Sequence, residues 1–122
     1  MVGWLNIKTN LPKGKGLKLY FFEVLSPDGN FYNDNLRTAK QEFGYISDGK
    51  PRELEAHFTF YGFRYVKVEG LDEICLEDFT GCVAYSDMDC IGNIETSNPL
   101  VNRLFLNALW GMRAERETSF LI

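Results

Sequence analysis

The stretch Phe58-Thr-Phe-Tyr-Gly-Phe-Arg-Tyr-Val-Lys-Val-Glu-Gly70 decides how this chain is read. Aromatic and β-branched residues suit a pleated, half-buried surface, and here they alternate. Glu53 and Glu55 open a two-residue period, with Leu54 and Ala56 between them. Phe58 and Phe60 continue it, and Phe63, Tyr65 and Val66-Lys-Val68 resume it after Gly62. A glycine inside such a run marks a bulge or bend. The reading is a strand from Glu53 to Val68, bent at Gly62, forming the spine of a sheet.

Working outward, Leu5 and Ile7 alternate with Trp4 and Asn6, and Pro12-Lys-Gly-Lys-Gly16 supplies a turn. Leu17 to Leu25 sets Leu17, Leu19 and Phe21 on one face and Lys18, Tyr20 and Phe22 on the other, ending at Ser26-Pro-Asp-Gly29. Asn30 to Lys40 holds no period and reads as an ordered loop. Glu42 to Ile46, Phe79 to Tyr85 and Gly92 to Glu95 are short strands. At Ser97-Asn-Pro99 the period changes. A capping residue is followed by proline, and Leu100, Val101, Leu104, Phe105, Ala108, Leu109 and Met112 then recur at helical spacing. The prediction is a mainly β, antiparallel domain over residues 1–95, followed by one C-terminal α-helix from Pro99 to about Glu117 within residues 96–122.

The chain has 122 residues, the size of one domain, with 45% hydrophobic and 15% aromatic residues. Its net charge of −4 has no basic stripe, so neither nucleic acid nor an anionic membrane is an expected partner. No apolar run reaches the roughly 20 residues of a membrane helix. The N-terminus lacks the pattern of a secretory signal. Cys75, Cys82 and Cys90 fit neither a paired framework nor a zinc motif, and read as reduced, mostly buried thiols. Together these features favour a cytoplasmic location.

No catalytic constellation stands out. Glu53/Glu55 alternate on a strand as a solvated face does, while neighbours such as Glu77/Asp78 point to opposite faces there. Asp87-Met-Asp89 begins like a calcium loop, but the glycine and glutamate of that pattern do not follow in register. His57 has no nucleophile motif beside it. No cofactor and no metal ligand set is expected. Arg64, between two aromatics, can stack on a ring, face a sugar or pair with an acid such as Glu23, and the structural pair with Glu23 is favoured. The aromatic stripe reads as core, with a sugar-stacking platform as the competing use.

The ordered set of phrases resembles the concanavalin-like β-sandwich of bacterial α-L-rhamnosidases. The phrases are Val2-Gly-Trp4, Phe22-Glu-Val-Leu25, Pro27-Asp-Gly29, Tyr32, Asn35-Leu-Arg37 and Phe58-Thr-Phe-Tyr-Gly-Phe-Arg-Tyr-Val66. Val83, Ser86-Asp87, Gly92, Ser97-Asn-Pro-Leu100, Asn102 and Trp110-Gly-Met-Arg113 follow, and are similar to that family's passage into its catalytic barrel. Two departures stand out. Tyr61 occupies the place of the family's usual histidine, and after Arg113 the text diverges.

The resemblance implies a jelly-roll-type β-sandwich over residues 1–95 and, over 96–122, a linker helix toward an (α/α)6 barrel. In the family that barrel carries the general acid and base of an inverting hydrolysis of terminal α-L-rhamnosides, so no catalytic residue is assigned here. The expected function is a non-catalytic sandwich domain or fragment that scaffolds the barrel, with that barrel as partner and a homodimer as an alternative cover for the helix. Arg64 with Glu23 is the structural polar anchor inside the sandwich, and the competing reading is a small carbohydrate-binding module that stacks a rhamnose-containing glycan on Trp4, Tyr20, Tyr61 or Tyr65.

Overall fold

Two antiparallel sheets enclose one core in the computed structural model, which describes residues 1–87 and 89–115. In the first sheet β1 (Val2–Thr9) is central. One edge pairs with β7 (Phe79–Val83), and the other with β4 (Arg52–Leu54) at one end and β5 (Tyr61–Gly62) at the other. In the second, β2 (Gly16–Phe22) lies between β3 (Glu42–Ile46) and β6 (Tyr65–Glu69).

The registers explain the core. Ile7 is opposite Leu54 on one side and Phe79 on the other, and Leu19 is opposite Phe43 and Val68. Period-2 alternation therefore turns both rows inward. Ile7, Leu11, Leu17, Leu19, Phe21, Tyr61 and Phe63 form the buried cluster. Tyr61 stacks on Phe21 at 4.1 Å between ring centroids, and Phe63 meets the same ring edge-on at 5.0 Å.

The predicted strand from Glu53 to Val68 is corrected into three strands on two sheets. From Ile7 to Gly3, β1 advances four residues, whereas its partners advance seven, from Leu54 to Tyr61. Three residues are in excess, so the segment 55–60 leaves the sheet edge. After Gly62 the chain changes sheets within one peptide unit. The Phe63 N–H donates to the Met1 carbonyl beside β1 at 2.9 Å, and the Arg64 N–H donates to the Phe22 carbonyl of β2 at 3.0 Å.

Other boundaries also move. The strand expected through Leu25 ends at Phe22, because the chain peels away to a bridge between Leu25 and Phe31. A 3-10 turn, Asp34–Leu36, lies in the expected loop. No strand forms at 92–95: both edges of β1 are already occupied, and Ile91 and Ile94 lie exposed. The thiols are free as expected, but Cys75 and Cys90 are exposed in loops and Cys82 is only half-buried, because it faces outward on β7 opposite Trp4.

Helix α1 (Pro99–Glu115) begins as predicted, and the expected residues beyond Glu115 lie outside the described residues. The Asn98 side chain accepts the Leu100 N–H at 2.9 Å, with Pro99 at the first helical position. Asn102 reaches back to Thr96, donating to its carbonyl and accepting its N–H, both at 2.9 Å. The apolar residues of α1 do not sink into the sandwich: Leu100 is 77% and Leu104 67% exposed. Among the described residues no helix is long and apolar enough to cross a membrane.

Two glycines with positive φ separate conformational strain from collision. Gly14 has φ +84° with open space around it, whereas at Gly70 (φ +97°) a Cβ would fall on the Gly16 carbonyl where β6 ends beside β2. Gly14→Ala is therefore expected to cost about 1–2 kcal/mol. Gly70→Ala is expected to cost more than about 3 kcal/mol, since backbone must shift as well. Urea denaturation of both variants checks the difference.

Candidate functional site

The four aromatics predicted to hold sugar do not converge. Tyr61 is buried, its ring in the core and its hydroxyl donating to the Glu42 carbonyl at 3.1 Å, so it is corrected from platform to core. Tyr20 and Tyr65 sit half-buried on the outer face of the second sheet, on the far side of the sandwich from Trp4.

On that outer face the rings are already engaged. Phe31 returns from its loop to lie 5.6 Å from Tyr20 and 4.9 Å from Phe22, and Phe22 stacks on Tyr65 at 5.5 Å. Lys18 and Lys67 lie 4.8 and 5.4 Å from the Tyr20 ring centre. The Tyr20 hydroxyl donates to Glu69 at 3.3 Å, and Lys67 pairs with the same carboxylate at 2.6 Å. Lys67 chiefly holds the Glu69 carboxyl below its usual range, and bonds to Tyr20 and then Glu42 raise Lys18. These contacts pin the loop onto the sheet, leaving little open ring surface.

Arg64 follows buried Phe63 and so points outward. Its guanidinium lies 5.5 Å from the Tyr65 ring centre, and among the described residues it forms no ion pair with Glu23, which is exposed beside Gly62. The stacking alternative, and not the acid pair, is the one present.

A cleft that the sequence did not reveal opens over Trp4. The excursion 55–60 forms one wall and the segment after β7 the other, enclosing about 730 Å³. Trp4, Phe58, Phe60 and Tyr85 give it aromatic walls, while Glu55, His57 and Asp87 supply polar groups. The Trp4 indole N–H is buried without an acceptor among the described residues. Phe58 is fully exposed at φ +58°, a conformation that bulky residues rarely adopt. Arg113 of α1 stacks on Tyr85 at 4.9 Å without lining the cleft.

Glu55 and Asp87 share the cleft, but both are exposed, and this setting offers none of the burial that differentiates a hydrolytic acid from its base. Glu53 lies elsewhere, opposite Lys8, and Glu77 and Asp78 belong to a 3-10 turn, Leu76–Asp78. Among the described residues no three His, Cys, Asp or Glu side chains could share a metal ion. The segment 55–60 was missed because its alternating phenylalanines read as strand. Only the register excess across β1, invisible without the pairing, lifts them out.

Residues 1–85 match the family model of the bacterial alpha-L-rhamnosidase concanavalin-like domain. An alpha-L-rhamnosidase of Formosa agariphila is 39% identical over 118 residues, which cover 93% of this chain and 13% of the relative. The crystal structure of the Streptomyces avermitilis alpha-L-rhamnosidase complexed with L-rhamnose superposes with a TM-score of 0.85 at 35% identity, over 93% of this chain and 11% of that one. That of native alpha-L-rhamnosidase from Aspergillus terreus gives 0.83 at 38% identity, over 93% and 13%. The chain thus spans about an eighth or less of the length of these relatives.

Burial pushes the Tyr61 phenol above the ordinary tyrosine value of 10.0. The folded chain keeps this proton where the unfolded chain has released it. The associated stability is whole below about pH 10 and declines as pH rises through the folded value. In an ultraviolet phenol titration one of the six tyrosines is expected to ionise above the ordinary range, and Tyr61→Phe to remove it. The same variant should lose about 1 kcal/mol at neutral pH with the bond to Glu42.

Proposed function

The chain belongs to the bacterial α-L-rhamnosidase family through its concanavalin-like domain, and from that premise we propose that it props the catalytic barrel of an enzyme that hydrolyses terminal α-L-rhamnosides. The observation that carries this reading is the apolar surface left open on α1. Leu100 and Leu104, one turn apart, are both exposed, as are Val101, Leu106 and Trp110. A helix with this much uncovered apolar surface gains by burying it against a partner, at roughly 25 cal/mol per Å². Thr96, Asn98 and Asn102 fix the first turn of that helix locally, and Arg113 stacks on Tyr85 just after β7, so the helix starts from an ordered turn with its apolar surface uncovered. The dispersed, exposed carboxylates fit a domain whose chemistry is done elsewhere.

Domain exchange tests this. The chain alone is expected to release no rhamnose from a chromogenic α-L-rhamnoside. Placed in the Streptomyces avermitilis enzyme in exchange for the segment it matches, it is expected to support a soluble, active protein. Leu100→Lys with Leu104→Lys should lower the yield of active chimera about tenfold or more, while leaving the melting of the isolated chain unchanged. Turnover by the isolated chain, or a chimera indifferent to both lysines, would sink the reading.

A further inference from the structure

We propose that the cleft over Trp4 binds a neutral saccharide ring, stacked on Trp4, Phe58 and Tyr85 and held by its hydroxyls on Glu55 and Asp87. The site is separate from the scaffolding role and does not depend on a barrel docking on α1.

The chemistry of the lining selects the ligand class. The cleft's volume of about 730 Å³ lies within the range of ~300–1,000 Å³ usual for small-molecule sites. Its walls are aromatic, and flat rings suit the C–H faces of a pyranose. Its charged groups are acceptors, the carboxylates of Glu55 and Asp87, with His57 beside them. Acceptors of this kind call for a ligand rich in hydroxyl donors. Among the described residues neither lysine nor arginine lines the cleft, and the guanidinium of Arg113, 4.9 Å from the Tyr85 ring centre, is the one cation at its border, so the two lining carboxylates disfavour an anion. A wholly apolar ligand would strip water from those carboxylates and return no hydrogen bond. A neutral polyol with an apolar face meets both demands.

Phe58 adds an independent indication. Its left-handed backbone costs about 1–3 kcal/mol, and such strain persists where the surroundings enforce it and clusters at binding sites. Here the cost brings no burial. The ring is fully exposed, with His57 as its ring neighbour at 6.4 Å. The excess of three residues opposite β1 lifts an apolar ring to the cleft mouth, where a stacked sugar would cover it.

The test is a two-dimensional amide NMR titration of the full chain with L-rhamnose, methyl α-D-glucopyranoside and D-glucuronate. The indole resonance of Trp4 is a reporter inside the cleft. At least one neutral sugar is expected to give saturable shifts in the millimolar range, on the order of 1–10 mM, centred on Trp4, residues 55–60 and Tyr85. D-Glucuronate should bind more weakly. Phe58→Ala and Tyr85→Ala are each expected to weaken binding about tenfold or more with the rest of the spectrum preserved, and Tyr20→Ala to leave it unchanged. The proposal is overturned by no saturable shift up to about 100 mM, by glucuronate binding as tightly, or by shifts centred on Tyr20 and Tyr65. Binding that survives Phe58→Ala overturns it too, as do sugar-independent shifts at the cleft that grow with protein concentration and vanish in Phe58→Ala.

Discussion

At Phe63–Arg64 the chain passes from one sheet to the other within a single peptide unit. The Phe63 N–H is bonded to the main chain beside β1 and the Arg64 N–H to β2, so consecutive amides belong to opposite layers of the sandwich. This crossing fixes what surrounds it. Tyr61 and Phe63 both reach the Phe21 ring from the first sheet, while Tyr65 and Val66 take their places on the second. Phe63 is buried and Arg64 exposed, and the alternation shifts phase at the switch, so that Tyr65 faces outward beside Phe22 and Val66 inward beside Phe21. Buried amides must find partners, and here each finds one only if both sheets are already at the right separation. The aromatic cluster on Phe21 holds that separation.

This accounts for what could be read in advance. Element types followed from local period: Leu17, Leu19 and Phe21 went to the core, and the helix began at Pro99 behind an asparagine cap. Those features depend on neighbours in the chain. The fate of Glu53 to Val68 depended instead on how many residues of β1 it would face, a non-local quantity. Gly62 was correctly singled out as an interruption, but a bulge within one strand and a move between sheets have the same local pattern. The same limit hid the cleft, since the phenylalanines at 58 and 60 alternate as strand residues do while standing opposite a gap in the pairing.

The site residues divide along the same line. Tyr20 lies on the face opposite Leu19 and Phe21 as its alternation indicated, and Tyr65 joins it there, yet their rings are occupied by Lys18, Lys67, Phe22 and Phe31, and nothing local announced that Phe31 would fold back from its loop. Tyr61, a sugar-stacking candidate only in the competing reading, is core, where Phe21 offers it a flat ring across the interior. Trp4 alone lies where a ligand can be built around it. The molecule therefore separates two surfaces: an aromatic–cation ladder that secures a loop on one sheet, and an open aromatic cleft on the other.

The central position of β1 bears on how the molecule is made. Every strand that pairs with it, at 52–54, 61–62 and 79–83, comes much later in the chain. During synthesis β1 has no partner until Leu54 has left the ribosome, and one of its edges stays open until Val83 has, whereas β2 and β3 can pair soon after Ile46 emerges. Such long-range pairing is slow and leaves strand edges open meanwhile. The second sheet is thus the early platform, and β1, made before the strands it pairs with, is among the last of these strands to be locked in place.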